Sequence, residues 1–331
     1  METNITVAKS TGEEQGQLYD GADVDFDIGN SNDFEIRASI EKYYPESMGF
    51  GCRVFIPDTE YGGIIRDIES ITKTREIVLR GNTWRGMLTK KVVEPPEGED
   101  HLVLSGDIND VIRTLIGDRF GDLFTVPNID NGIRISNWKV DRYVTLYDAL
   151  IKLVNYYEQR LQIKYVEPEG LDYGYVTIQS VPIKDYSDQL EYSQEGNIEV
   201  DVRDCRSGVN HLVCAGKGEN QERIVLHLYV QKDGTIGSTQ YYTGLDEIEE
   251  VYDYSSADAE KLEEDGRKKL LELKNYKKCE MTVEDVDLEL GDIVAGYDII
   301  TNTQVIKPVV QKTLKIKDGI LEVDYKVEGD D

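Results

Sequence analysis

Apolar and polar residues alternate along much of the chain with the period of a half-buried β-strand. After Asp23, the apolar residues Val24, Phe26 and Ile28 alternate with acidic ones, so one face of this segment is expected to be buried. Similar runs, separated by Gly, Pro and Asn turn signals, follow at residues 34–40, 52–56, 64–71, 76–80 and 83–88. Short strands at this spacing predict a small barrel or sandwich over residues 23–95.

The pattern changes to a helical period after the Pro- and Glu-rich break at residues 94–100. Asp107 can cap a helix whose apolar stripe runs from residue 108 to residue 116. Thr145 and Asp148 resemble a capping box at the start of a second helix. Strand patterns at 162–166 and 173–181 follow. Residues 101–190 are therefore predicted to form an α+β domain.

Strand patterns dominate again in the last third of the chain. They lie at residues 198–202, 209–215, 224–230, 279–286, 293–297, 304–317 and 320–327. One long helix is predicted over 256–276, with Ser255 or Ser256 as its cap. A second β domain is thus expected over 196–331. Residues 1–22 have few apolar anchors and are predicted to be a flexible arm. The fold class is mainly β with an α+β insertion.

The net charge excludes several classes of partner. The chain has 331 residues, with 65 Asp+Glu against 37 Lys+Arg, and its formal net charge is −28. Because each third of the sequence is acidic, a basic surface that would bind nucleic acid or an anionic membrane is not expected. No secretory signal or membrane-spanning apolar run is visible, so synthesis in a cytoplasm is expected. The cysteines Cys52, Cys205, Cys214 and Cys279 are expected to be reduced, although a Cys205–Cys214 bridge is conceivable.

Candidate metal and phosphate sites have simpler explanations as structural segments. Asp23, Asp25 and Asp27 resemble the start of an EF-hand, but Ile28 and Phe34 stand where its Gly and Glu would be required, so an acid-faced strand is favoured. Residues 215–219 lack the complete phosphate-loop pattern, and a Gly-rich hairpin is favoured. Lys–Lys pairs at 268–269 and 277–278 are too sparse, among so many acids, for a nucleic-acid patch.

Candidate catalytic groups are equally few. His101, His211 and His227 do not have the spacing of a metal site. Cys214 could pair with either of the last two histidines as a nucleophile, but a small buried thiol is favoured. Paired carboxylates for glycan hydrolysis cannot be chosen among 65 acids. We therefore assign no catalytic, cofactor-binding or metal-ligating residue, and we expect a protein that is not an enzyme and needs no cofactor.

Several stretches, taken in order, resemble one known family. They are residues 52–70, 76–88, 107–116, 145–160, 210–222, 264–273 and 290–294. Their order and strand–turn–strand character resemble the tail-hub proteins of siphophages and related prophages, which are tail-tip relatives of the baseplate hub of contractile tails. The resemblance covers roughly residues 34–327. Residues 1–30 depart from it, because the family usually opens with hairpins rich in aromatic residues.

The resemblance implies a structural role at the virion tail tip. It implies a homotrimer in which two tail-tube-like β-barrel domains per chain flank the α+β domain, so that six barrels form a pseudo-sixfold ring. The implied partners are the distal tail protein, the tape measure protein and the tip or fibre proteins, and DNA would pass through the ring without specific binding. A tail module that binds carbohydrate or a receptor is the main alternative, and a carboxylate-dependent glycan hydrolase is a weaker one. An acidic channel wall, which would repel DNA phosphates, is a further hypothesis.

Overall fold

The computed structural model describes residues 4–19, 21–168, 170–171, 173–187, 191–192, 198–283, 288–298 and 303–327, and the side chains of most of them. The described chain is mainly β, with five α-helices, as the sequence predicts. The strands are β1 (Thr6–Ala8), β2 (Glu14–Gln17), β3 (Asp23–Ile28), β4 (Asp33–Ser39), β5 (Arg53–Phe55), β6 (Gly62–Ile71), β7 (Glu76–Thr83), β8 (Val92–Val93), β9 (Val103–Asp107), β10 (Phe124–Thr125), β11 (Arg134–Lys139), β12 (Val144–Thr145), β13 (Gln159–Val166), β14 (Tyr175–Pro182), β15 (Glu191–Tyr192), β16 (Ile198–Cys205), β17 (His211–Ala215), β18 (Val225–Val230), β19 (Ile236–Gly237), β20 (Glu249–Asp253), β21 (Tyr276–Val283), β22 (Ile293–Asp298), β23 (Thr303–Lys317) and β24 (Ile320–Val327). The helices are α1 (Pro45–Met48), α2 (Trp84–Leu88), α3 (Ile108–Ile116), α4 (Leu146–Tyr156) and α5 (Ala259–Leu273).

The largest sheet joins strands from the two ends of the sequence. Its strand order is β16-β21-β24-β23-β3-β4-β7-β6-β5-β1-β2, with β22 and β15 attached beside β23. The junction is the antiparallel pair β3–β23, in which Phe26 lies opposite Leu314. Both residues are buried, so the alternation along each strand fixes the register of the pair. Among the described strands this sheet is open, and the closed barrels expected from the resemblance are not seen.

The N-terminal segment contributes to this sheet. Residues 1–22 are predicted to be a flexible arm, but β1 pairs with both β2 and β5. Ile5, Val7 and Ala8 are buried there. These three apolar residues are enough to anchor the segment because a neighbouring edge strand is available for pairing, and that is a tertiary feature which local composition does not reveal.

The α+β segment is built as the sequence indicates. Asp107 caps α3 by accepting a hydrogen bond from the Asn109 backbone N–H, and Thr145 caps α4 by accepting one from that of Asp148. The two helices pack on a three-stranded sheet with the order β10-β14-β13. Their apolar stripes belong to one core that also includes Trp84 and Phe55. The α+β segment and the first β strands therefore share a hydrophobic core.

Two predicted element boundaries are wrong. Residues 83–88 are predicted to be a strand, but Trp84–Leu88 form α2, because the Thr83 hydroxyl accepts a hydrogen bond from the Gly86 N–H and caps a helical turn. The long helix begins at Ala259, and its cap is Asp258, which accepts from the Lys261 N–H, instead of Ser255 or Ser256.

The chain divides into two compact units. Unit 1 comprises Met1–Val200 and Glu280–Val327, and unit 2 comprises Asp201–Cys279. Residues 280–327 thus belong to the same unit as residues 1–200. In unit 2, α5 covers a four-stranded sheet with the order β19-β18-β17-β20, and Leu212, Leu228 and Leu262 lie in its core. No helix in the described part of the chain is long and apolar enough to cross a bilayer.

Candidate assembly surfaces and polar clusters

The acidic strand β3 is one row of a charged sheet face in unit 1. Val24, Phe26 and Ile28 point into the core, which confirms the prediction of an acid-faced strand. Across the polar face, Asp25 lies between Lys315 and Glu35. Burial raises the pKa of Asp25, against the attraction of Lys315. The acids on this face are therefore partly balanced by cations from neighbouring strands, as expected for a solvated sheet surface.

Arg80 is the cation that ties this face together. Its guanidinium donates to Glu35 at 2.6 Å and to Glu69 at 2.9 Å. Burial alone would raise the pKa of Glu35, but hydrogen bonds from Arg80 and Arg37 lower it overall. The pairs are exposed enough that each is expected to contribute only about 0–1 kcal/mol to stability.

A second and very different group of charges lies inside unit 1. Glu60, Arg85 and Lys312 are each at most 2% exposed. Arg85 Nε donates to Glu60 Oε1 at 2.6 Å, and Arg85 Nη2 donates to Glu60 Oε2 at 3.1 Å. Lys312 Nζ donates to Glu289 Oε2 at 2.7 Å and lies 3.9 Å from Glu60 Oε2. We call these four residues the buried ionic cluster.

The buried ionic cluster joins Glu60 and Arg85, from the first third of the sequence, to Glu289 and Lys312 near its end. Burial alone would lower the pKa of Lys312, but the Glu289 and Glu60 carboxylates outweigh it and raise the pKa. Burial likewise opposes the charge of Glu289, whose pKa is nevertheless lowered by Lys312. The cluster thus keeps its charges, and each charge depends on its partners for compensation.

Two of the three histidines meet in unit 2. His211 on β17 and His227 on β18 are joined by an Nε2–Nδ1 contact of 2.8 Å. His211 Nδ1 lies 2.8 Å from Glu247 Oε1 and 2.8 Å from Glu249 Oε1. His101 is elsewhere, in unit 1, with Nδ1 at 3.3 Å from the Val140 carbonyl oxygen. We call His211, Glu247 and Glu249 the histidine–glutamate cluster.

The local structure explains how the histidine–glutamate cluster forms. Strand β20 runs parallel to β17 and places Glu249 opposite His211. The Tyr229 ring is stacked on His211 with ring centroids 4.4 Å apart. Gln240 Nε2 donates to Glu247 Oε1 at 2.6 Å. One nitrogen and two carboxylate oxygens therefore converge within 4.8 Å of one another, a donor set that could hold a metal ion.

Cys214 has the environment of a structural thiol. Its side chain is fully buried in unit 2, and burial raises its pKa to about 11. At neutral pH the group is therefore a protonated thiol and a weak nucleophile. It is a free cysteine, so the Cys205–Cys214 bridge is not formed, and Cys52 is also a buried free thiol. The side chain of Cys279 lies outside the described part of the structure.

The remaining sequence candidates have structural roles. The Gly-rich residues 215–219 connect the antiparallel strands β17 and β18, and Gly218 has a positive φ of 111° with the Glu222 carbonyl close by. The segment is therefore the predicted Gly-rich hairpin. Lys268 and Lys269 pair with Glu264 and Glu272 along α5. The side chains of Lys277 and Lys278 are outside the described ones.

Three aromatic residues, one of them strongly exposed, form a cluster at the end of α4. Trp138 on β11 lies 5.1 Å from Tyr156 and 6.1 Å from Tyr157, measured between ring centroids. Tyr156 is 70% exposed, although the other two rings are partly buried against the core. Four other tyrosines are also strongly exposed among the described residues: Tyr44, Tyr143, Tyr173 and Tyr241. Tyrosines with an apolar ring and a polar tip suit wet protein interfaces.

Across nearly its whole length, the chain has the fold of phage tail proteins. It is similar to the 43 kDa tail protein of prophage MuSo2 from Shewanella oneidensis, with a TM-score of 0.53 and 12% identity over 98% of both chains. It is also similar to a chain of the phage P2 baseplate in its activated conformation with Ca, with a TM-score of 0.51 and 10% identity over 98% of both chains. No family model matches the sequence, and no curated protein is significantly similar to it. The resemblance seen in the sequence is thus confirmed at the level of the fold, which is that of phage tail and baseplate proteins.

Sequence reasoning missed both polar clusters. The buried ionic cluster has a weak signal in the sequence, because Lys312 and Arg85 lie within otherwise strand-like or apolar runs. The histidine–glutamate cluster has almost none, since His211 and Glu247 are 36 residues apart. They meet because β20, which begins two residues after Glu247, pairs with β17.

Proposed function

We propose that this protein is a structural component of a phage or prophage tail, located at the tail tip as a tail hub. The observation that carries this proposal is the fold likeness along 98% of the chain to a prophage tail protein and to a chain of a phage baseplate. The order of segments in the sequence supports the same assignment independently. Its action would consist of holding other proteins together, and we infer no enzymatic activity.

The finer proposal is a homotrimeric ring with pseudo-sixfold symmetry. It would join the end of the tail tube to the tip proteins, and its partners would be the distal tail, tape measure and tip or fibre proteins. Exposed tyrosines and the broad open sheet of unit 1 are suited to such contacts. The excess of acidic residues supports a channel wall that repels DNA phosphates during ejection.

A mass measurement under native conditions tests the ring. We expect a species of about 113 kDa, which is three times the 37.6 kDa of one chain. If the chain alone is monomeric, the same measurement with the distal tail protein added shows whether the ring needs its partner. A reconstruction of the particle by electron microscopy then gives its symmetry and the charge lining the lumen. A monomer with and without that partner contradicts the hub, and a neutral or basic lumen contradicts only the acidic channel.

A second candidate function is carbohydrate binding at the tail tip, and the aromatic cluster of Trp138, Tyr156 and Tyr157 favours it. Sugar rings stack their apolar faces on exposed aromatic rings, and Tyr156 presents such a ring. One helical turn before Tyr156 on α4, Lys152 forms an ion pair with Asp141. We expect Tyr156→Ala to weaken binding to host cell-wall polysaccharide several-fold, because it removes the exposed ring on which a sugar would stack, and one stacking contact contributes about 0.5–1.5 kcal/mol.

Binding is measured by biolayer interferometry on immobilised polysaccharide. Tyr173→Ala is the matched control, because Tyr173 is also exposed but makes no ring contact among the described residues. Equal binding by the two variants and the original protein excludes this cluster as a carbohydrate site.

A further inference from the structure

We propose that the histidine–glutamate cluster of unit 2 is a binding site for one divalent transition-metal ion of the class of Zn²⁺. The ligands would be His211 Nδ1 and one carboxylate oxygen each from Glu247 and Glu249. This inference does not depend on the proposed tail function.

The count of hydrogen atoms around His211 supports the proposal. A single hydrogen on Nδ1 can point to only one of the two carboxylate oxygens, although both lie at 2.8 Å. On the other side of the ring, Nε2 lies 2.8 Å from His227 Nδ1. When His211 Nε2–H donates to His227, the lone pair of His211 Nδ1 faces two carboxylates with no hydrogen between them. A cation at this point satisfies all three acceptors at once.

The groups around the three ligands are arranged as metal sites require. Ligating histidines usually donate their second N–H to a fixed acceptor, and His227 is placed to accept it. The Tyr229 ring stacks on the imidazole and limits its rotation. Gln240 donates to Glu247 Oε1 and holds that carboxylate in place. The His211 side chain is only 8% exposed, whereas that of Glu249 is 58% exposed and leaves the site open to an incoming ion.

The donor set selects the class of ion. Ca²⁺ and Mg²⁺ prefer shells made entirely of oxygen, whereas an imidazole nitrogen with two carboxylates suits Zn²⁺, Mn²⁺ or Fe²⁺. Water can complete the coordination on the exposed side of Glu249. We therefore expect tight binding of Zn²⁺ and weak binding of Ca²⁺ and Mg²⁺.

The ion would fix a loop that carries exposed apolar side chains. Glu247 directly follows a short 3₁₀ turn, Gly244–Asp246, and within the same connection Tyr241 is half-exposed and Leu245 fully exposed. Glu249 is already held in the sheet by β17. A metal bond between these two glutamates and His211 would therefore anchor the loop to the sheet, and would present Tyr241 and Leu245 from a fixed backbone.

The proposal is tested by isothermal titration calorimetry, in which Zn²⁺ is added to the metal-free full-length chain. Millimolar Mg²⁺ is present to occupy surface carboxylates that bind divalent ions non-specifically. We expect one Zn²⁺ per chain. At a free concentration of about 100 times the Kd, we expect a rise of about 5 °C or more in the calorimetric melting temperature of unit 2. Co²⁺ in the same site should give visible absorption bands that Zn²⁺ abolishes.

Glu249→Gln is the decisive variant, because the side chain is mostly exposed and its amide retains the size of the carboxylate. We expect it to weaken Zn²⁺ binding at least tenfold, and Gln240→Ala to weaken it by a similar factor through Glu247. Glu250→Gln is the matched control: it removes the same charge from the adjacent position on β20, and it should bind like the original protein. Weak binding of several ions that is equal in all variants, or no binding at all, overturns the proposal.

Discussion

Replacing Glu60 with glutamine is expected to lower the free energy of unfolding of unit 1 by about 3–5 kcal/mol. Glutamine has the size of glutamate and can still accept hydrogen bonds, so packing is conserved. What is lost is the negative charge that Arg85 contacts through two hydrogen bonds and that Lys312 faces at 3.9 Å. Of the two carboxylates in the buried ionic cluster, Glu289 alone then remains to compensate two buried cations.

The physical reason is the cost of burying charge without a partner. Arg85 and Lys312 are almost completely removed from water, and water cannot replace the lost carboxylate. Arg85 also donates to the Leu161 carbonyl, which ties it to the α+β segment and prevents it from moving outward to solvent. The penalty is therefore expected to appear as lost stability of unit 1.

The measurement is guanidinium unfolding followed by tryptophan fluorescence. The two tryptophans of the sequence are Trp84 and Trp138, so this signal reports unit 1 alone. Glu69→Gln is the matched control: it removes an acid that also pairs with an arginine, Arg80, but at the surface. Its cost should not exceed about 1 kcal/mol. If both variants lower the free energy of unfolding equally, the buried ionic cluster is not essential to the fold.

Local signals in the sequence were sufficient to predict the helices of the α+β segment. Asp107 and Thr145 act as caps, and the apolar stripes that follow them are buried as predicted. These elements depend on residues within four positions of one another, and a pattern in one segment contains all the information. The strand β3 is likewise visible, because its alternation depends only on which face is buried.

Features that depend on distant segments were not predictable in this way. Residues 83–88 contain Thr, Trp and Leu and favour a strand, yet the Thr83 cap and burial of Trp84 and Arg85 make a helix there. The sheet also pairs β3 with β23 across almost the whole sequence. Neither polar cluster could be recognised for the same reason, since each brings together side chains from segments that are well separated in the sequence.

Gly29→Ala tests the junction between β3 and β23, which joins the N-terminal and C-terminal strands of the large sheet, and we expect it to lower the free energy of unfolding of unit 1 by about 2–5 kcal/mol. Gly29 follows β3 and has a φ of 107°, a region that a side chain makes unfavourable. A Cβ atom there would lie only 2.1 Å from the Val310 carbonyl oxygen of β23. Because that oxygen belongs to backbone, the contact can be relieved only by moving one strand away from the other.

The control separates the cost of a side chain at positive φ from the cost of the contact with the Val310 carbonyl oxygen. Gly98 also has a positive φ, of 84°, but a Cβ atom at that position would meet no atom within 4 Å. Gly98→Ala should therefore cost only the conformational part, about 1 kcal/mol, in the same fluorescence-detected unfolding experiment. If the two variants are destabilised equally, the close approach of β3 and β23 contributes nothing, and the pairing of the chain ends is looser than the structure indicates. A larger loss for Gly29→Ala means that this sheet requires tight contact between β3 and β23.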